Sequence, residues 1–171
     1  AVSGTTTLEI GALGSSTTFA GEITEGGGGG TLGITKVGAG TLTLTGPATY
    51  NGATQINQGT LELTTMAKAL GASAVTLANG TSLRIQTPDA ATTPLTSASL
   101  TLGSSTLAFD VNSLNPTVTQ ISTGALAVDG TVTVDILNAN ALTTGTYKLI
   151  DYTSISGAGS FPGGSFPVGN R

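Results

Sequence analysis

Residues 26–63 read GGGGGTLGITKVGAGTLTLTGPATYNGATQINQGTLEL, and the triplet Gly-Thr-Leu recurs through them. It stands at Gly30-Thr31-Leu32, Gly40-Thr41-Leu42 and Gly59-Thr60-Leu61. Looser copies follow at Gly80-Thr81-Ser82-Leu83, Ser105-Thr106-Leu107 and Gly130-Thr131-Val132. From Thr41 onward, Thr60, Thr81, Thr106 and Thr131 come at steps of 19, 21, 25 and 25 residues. A period of roughly 20–25 residues is the size of one coil in a stacked solenoid.

Each copy opens a period-two alternation, so the coils are built of strands with one buried and one wet face. Leu42 and Leu44 alternate with threonines, Leu61 and Leu63 flank Glu62, and Leu83 and Ile85 flank Arg84. Leu107, Phe109 and Val111 alternate with Thr106, Ala108 and Asp110, and Val132, Val134 and Ile136 with Thr133 and Asp135. Aligned on the first inward residue, Leu42, Leu61, Leu83, Leu107 and Val132 form one interior column. Leu44, Leu63, Ile85, Phe109 and Val134 form the next. The expected fold is all-β, a parallel β-solenoid of about 6–7 coils spanning residues 1–156, with no second globular domain. Corners such as Asn51-Gly52, Asn79-Gly80 and Asp129-Gly130 would also suit antiparallel hairpins and a sandwich. The near-constant period argues against that alternative. One helical turn is expected, over Thr65 to Leu70, and the five glycines from Gly26 to Gly30 are expected to form a loop between coils.

Only 8% of the 171 residues are charged and the net charge is −4, against about 25% charged in an ordinary soluble domain. Threonine, more numerous even than the 26 glycines, carries the polar surface instead, and its β-branch suits extended backbone. Mean hydropathy is +0.27, whereas disordered chains pair low hydrophobicity with high net charge. The five cations, Lys36, Lys68, Arg84, Lys148 and Arg171, stand singly. Nucleic-acid binding needs them clustered and is not expected. No apolar run reaches the roughly 20 residues of a spanning helix, so direct membrane insertion is not expected. The chain has no Cys and no His, which removes the usual metal ligands and general bases.

Residues 26–63 closely resemble the autotransporter-associated β-strand repeat. The residues that carry the likeness include Lys36, Gly38, Gly40, Thr41, Leu42, Leu44, Thr49, Tyr50, Gly52, Thr54, Ile56, Asn57, Gly59, Thr60 and Leu61. Ala48 stands where that pattern usually has Asn. Residues 130–157 look more loosely like the terminal coils of such passengers. The resemblance implies a right-handed parallel β-helix in a large surface or secreted protein of a diderm bacterium. It implies no shared catalytic residues and no cofactor.

Two acidic residues and two aromatic ones are singled out. Asp110 and Asp135 align on successive coils through Leu107 and Val132, and stacked carboxylates would bind Ca²⁺ or act as the acid pair of a glycoside hydrolase. Gln86, Thr64 and Thr45 fill that column on earlier coils, so no denser cluster forms and a solvated pair is preferred. No other metal, cofactor or catalytic residue is expected. The tail from Gly157 to Arg171 repeats a Ser-Phe-Pro unit, which places Phe161 and Phe166 where Pro and Gly forbid a central strand. These two are the expected anchors for assembly or capping. The chain is therefore expected to be a non-enzymatic structural solenoid that stacks end to end with copies of itself into a surface filament or layer. The alternative is a stalk within a longer adhesin-type passenger, and the third reading is a polysaccharide-processing β-helix, which needs an acidic groove.

Overall fold

Threonine and aliphatic residues in strict alternation give strands, and here every strand finds its neighbour one coil away. The computed structural model describes residues 4–25, 27, 29–64, 70, 73–86, 94–110, 118–138 and 144–162. The chain runs through β1 (Thr5–Ile10), β2 (Thr17–Phe19), β3 (Thr31–Lys36) and β4 (Thr41–Leu44). It continues through β5 (Thr54–Ile56), β6 (Thr60–Leu63), β7 (Ala74–Leu77), β8 (Ser82–Ile85) and β9 (Leu95–Leu102). Then come β10 (Thr106–Asp110), β11 (Ile121–Val128), β12 (Thr133–Leu137) and β13 (Ile150–Ser156).

Odd-numbered strands make a seven-stranded sheet in the order β1-β3-β5-β7-β9-β11-β13, and even-numbered strands make a six-stranded sheet from β2 to β12. Pairing is parallel throughout both sheets. Hairpins would have given antiparallel neighbours, so the sandwich is excluded and the β-solenoid stands. Isolated parallel bridges, Ile23 to Ala48 and Thr131 to Ser160, mark a third side. The solenoid has about five turns, slightly fewer than the 6–7 coils expected. No helix occurs among the described residues. The turn expected from Thr65 lies outside them except for Leu70, which is buried with a left-handed φ of 74°. Val111 lies outside them too, as do Gly26 and Gly28 of the glycine run.

Leu42, Leu61, Leu83 and Leu107 stack in register on the six-stranded sheet, with Leu44, Leu63, Ile85 and Phe109 beside them. All eight are buried. The seven-stranded sheet contributes Ile34, Thr54, Val75, Leu100 and Leu126 in one column, and Lys36, Ile56, Leu77, Leu102 and Val128 in the next. Parallel neighbours sit about 4.8 Å apart, so seven strands make a rod of roughly 30 Å.

The expected columns need one correction. Leu107 pairs with Val134 and Phe109 with Ile136, so Val132 and Val134 were each placed one inward step too early. Thr131 and Val132 are taken up on the third side instead, where Val132 N–H donates to Ser160 O at 2.8 Å. A slip of two residues keeps every side chain on its own face, so alternation alone could not fix that register.

Corners close tightly between coils. Gly38 and Gly59 have left-handed φ values of 71° and 69°. A Cβ on Gly59 would lie 2.5 Å from the carbonyl oxygens of Gly38 and Gly40. Only glycine fits there.

Replacing Leu61 by Ala, between Leu42 and Leu83, should cost about 2–5 kcal/mol of unfolding free energy. Glu62→Ala, one residue along on the wet face, should cost about 1 kcal/mol, since the ion pair it loses is to a part-exposed Arg84. Denaturant titration of both variants checks this; equal losses would contradict the assigned faces.

Candidate functional site: stapled corners and two open ends

Polar side chains are spent on joining successive coils. Lys36 follows Leu32 and Ile34 on the inward side of β3, between Ile10 and Ile56. It is only 1% exposed. Its Nζ donates to the carbonyls of Gly38 at 2.7 Å, Val37 at 2.8 Å and Gln58 at 3.2 Å. The ammonium thereby fills a cage of corner oxygens from two coils. Burial lowers the Lys36 pKa, and three carbonyl acceptors favour the charged form in return. Gln58 adds a bond of its own, accepting from Gly38 N–H at 2.9 Å through Oε1.

Glu25 clamps the next corner. Its Oε1 accepts from the N–H groups of Leu32 and Asn51, both at 2.8 Å, and its Oε2 from Asn51 Nδ2 at 2.6 Å. The Leu32 N–H, then the Asn51 N–H and side chain, hold this carboxyl below the ordinary range. Inside the same turn Tyr50 is fully buried and shares a 2.5 Å hydrogen bond with Thr54 Oγ1. Burial pushes the Tyr50 phenol up to about 12, partly opposed by that bond. Further along, Asn79 Oδ1 accepts from Ser104 N–H at 2.8 Å, and Ser104 Oγ from Thr131 N–H at 3.2 Å. These bonds join each coil to the next.

The aspartate pair does not form. Asp135 pairs with Ala108 and Asp110 with Leu137, so the two carboxylates sit two positions apart on neighbouring strands. Asp110 is buried and accepts from Asn138 Nδ2 at 2.7 Å, while Asp135 is exposed. The correction follows from the same two-residue shift that moved Val132. Among the described residues no group of three or more Asp, Glu, His or Cys could hold a metal.

The remaining unusual chemistry lies at the ends. Leu8 and Phe19, both 44% exposed, occupy inward columns whose next members, Ile34 and Leu44, are buried. Leu13 projects from the corner between β1 and β2. At the other end Ile155, 48% exposed, lies in the same column as Leu8. Phe161 is half-buried against the core, next to Ser160, whose N–H donates to Gly130 O at 3.0 Å. Residues 157–162 thus continue the last coil. Phe166 lies outside the described residues.

Lys36, Glu25 and Tyr50 were not singled out as site residues by sequence reasoning. One signal was available: in a chain this poor in charge, Lys36 falls on the inward phase of a strand.

Lys36→Met keeps the length of the side chain and removes the three donors, leaving corner carbonyls unsatisfied. We expect a loss on the order of 3 kcal/mol, read from the denaturant midpoint. Glu25 has a folded pKa below its unfolded value, so its contribution is complete above about pH 4.3 and disappears as pH falls through the lower folded value. Between pH 5 and pH 3, Glu25→Gln should therefore show a smaller drop in melting temperature than the parent chain. Equal slopes would contradict the clamp.

The passenger-associated-transport-repeat family model matches residues 34–63. That span covers β4, β5 and β6 with the second half of β3, and includes Lys36, Tyr50, Thr54 and Gln58. No curated protein and no solved structure matches the chain. The match agrees with the repeat resemblance read from Gly-Thr-Leu, and the cage around Lys36 gives that stretch its physical meaning: residues 34–63 are similar to a passenger-associated transport repeat.

Proposed function

We propose that this chain is a non-enzymatic structural solenoid of an autotransporter-type passenger, working outside the cell of a diderm bacterium and extending end to end into a surface filament or layer. The observation that carries the reading is the contrast between flanks and ends. Along the flanks, polar groups are tied into coil-to-coil bonds. At both ends, core columns stop with aliphatic and aromatic side chains half in water. An adhesive or catalytic surface needs convergent polar groups in a concavity, and the stapled corners supply none. Stacking another coil onto either end buries apolar area and pairs an open strand edge in one move.

A second reading is supported by the repeat match itself: the solenoid is a stalk within a longer passenger, and further coils of the same chain cover its ends. The mass of the protein recovered from its native surface separates the two.

Sedimentation velocity across a concentration series, with negative-stain electron microscopy, tests assembly. Species at multiples of 16.6 kDa that lengthen without widening are expected. A single monomer at every concentration would leave the stalk reading in place and remove the filament.

A further inference from the structure

Three corners carry an asparagine or aspartate followed by glycine: Asn51-Gly52, Asn79-Gly80 and Asp129-Gly130. Such a pair is chemically labile wherever the glycine nitrogen can reach the side-chain carbonyl carbon, because glycine has no Cβ to bar the approach. Coil stacking guards two of the three. We infer that Asp129-Gly130 is a site of covalent modification, where the folded solenoid converts an aspartyl linkage to an isoaspartyl one while stacking holds Asn51 and Asn79 back.

The reaction draws on nothing outside the chain except water. The Gly130 nitrogen attacks Asp129 Cγ, an N–Cγ bond forms, and one side-chain oxygen leaves as water, carrying the proton lost from nitrogen. The product is a five-membered succinimide ring. Water then adds to either ring carbonyl. Opening at the former main-chain carbonyl leaves the backbone running through Cγ, with a free α-carboxylate and no net change in mass. At Asn51 or Asn79 the same attack expels ammonia, and the overall result is amide hydrolysis.

Exposure does not separate the three sites, since Asn51, Asn79 and Asp129 are all exposed. The glycine N–H does. Gly52 N–H donates to Leu32 O at 2.8 Å, and Gly80 N–H to Ser104 O at 2.7 Å. Attack requires that amide to turn toward its own side chain and shed its proton, which breaks the bond to the neighbouring coil. The side chains are held too: Asn51 Nδ2 donates to Glu25 Oε2 at 2.6 Å, and Asn79 Oδ1 accepts from Ser104 N–H at 2.8 Å.

At the third corner the bonds fall on either side of the critical peptide unit. Asp129 N–H donates to Leu102 O at 2.8 Å, and Gly130 O accepts from Ser160 N–H at 3.0 Å. Between them, neither Asp129 O nor Gly130 N–H is hydrogen-bonded to any described residue. This is the plane that must rotate for ring closure. An isoaspartyl linkage adds one carbon to the main chain here, between β11 and β12. The next two residues are those whose N–H groups reach Ser104 Oγ and Ser160 O, at 3.2 and 2.8 Å. Modification therefore loosens the contacts of this corner with the coils on both sides.

Asp129→Asn makes the comparison within one molecule, since all three corners then carry the same dipeptide. The full chain, its fold checked by circular dichroism, is incubated at neutral pH with and without guanidinium and then digested with trypsin. Cleavage at Lys36, Lys68, Arg84 and Lys148 puts positions 51, 79 and 129 on separate peptides, and fragment-ion mass spectrometry locates each deamidation. In the folded variant, position 129 should react faster than Asn51 and Asn79 by a factor of about ten or more, because only those two must wait for local opening. In guanidinium the three rates should converge. The parent chain gives a second readout that survives any misfolding of the variant: folding should slow Asn51 and Asn79 about tenfold more than it slows isoaspartate formation at Asp129, followed by electron-transfer fragmentation. Equal rates at the three positions of the folded variant would overturn the inference. So would equal slowing of the three sites in the parent chain, or a folded chain in which position 129 is the slowest to react.

Discussion

Parallel pairing in register is the constraint on which everything else in this molecule depends. Each interior coil both donates to and accepts from its two neighbours, so a residue cannot be chosen for its own coil alone. Whatever stands at Leu61 lies between Leu42 and Leu83 at the sheet spacing. Columns of like aliphatic side chains satisfy that demand with little cavity or clash. Threonine satisfies it on the wet face, because a β-branched neutral side chain stacks on itself where a repeated charge would repel. The scarcity of charge and the abundance of threonine follow from one geometric requirement.

The same constraint explains why two polar residues in the interior columns, Thr54 and Lys36, are hydrogen-bonded. Thr54 interrupts an aliphatic column between Ile34 and Val75, and the Tyr50 hydroxyl meets it at 2.5 Å. Lys36 interrupts the next column and ends in three carbonyls. These corners turn at left-handed Gly38 and Gly59, which leaves the carbonyls of Val37, Gly38 and Gln58 pointing together. An ammonium with three donors and no acceptor is the side chain that fits such a cluster of oxygens. Glu25 makes the converse arrangement, a carboxylate gathering donors at the Asn51 corner. The matched repeat reads, in physical terms, as a corner recipe: the glycines make the turns, Lys36 satisfies the carbonyls the turns leave over, and Tyr50 satisfies the buried Thr54 hydroxyl.

How much of this could be read in advance depended on which property the sequence encodes locally. Strand phase is local, and the alternation around Leu42, Leu61, Leu83 and Leu107 placed those residues on the correct face and in the correct column. Register across a corner is not local. The coil from Thr106 reaches its partner at Thr133, not Thr131, because a third-side bridge to Ser160 consumes two residues. Period-two alternation is blind to a shift of two, so Val132 and the supposed Asp110–Asp135 alignment failed together. Lys36 and Glu25 were legible only as oddities, since their partners are main-chain atoms that become neighbours only when coils stack. Asp110 looked outward by parity yet is buried beside Asn138, a contact 28 residues away in sequence.

In an array of this kind, stability is close to a sum of coil energies and nearest-neighbour interfaces. An interior coil has two such interfaces and a terminal coil has one. The cost of ordering a coil's backbone is the same in either place, so the terminal coils are the least stabilised part of the rod. The exposures of Leu8, Phe19 and Ile155 are the visible form of that deficit. A fold can offset it by laying a polar cap over the end or by finding another coil to stack upon. At the C-terminal end, Gly157 has a φ of 96° and a Cβ there would lie 2.1 Å from Val128 O, so the column filled on every coil from Ile10 to Val128 takes no side chain at that step. The physics that winds one turn upon the last does not distinguish a turn of the same chain from a turn of its neighbour.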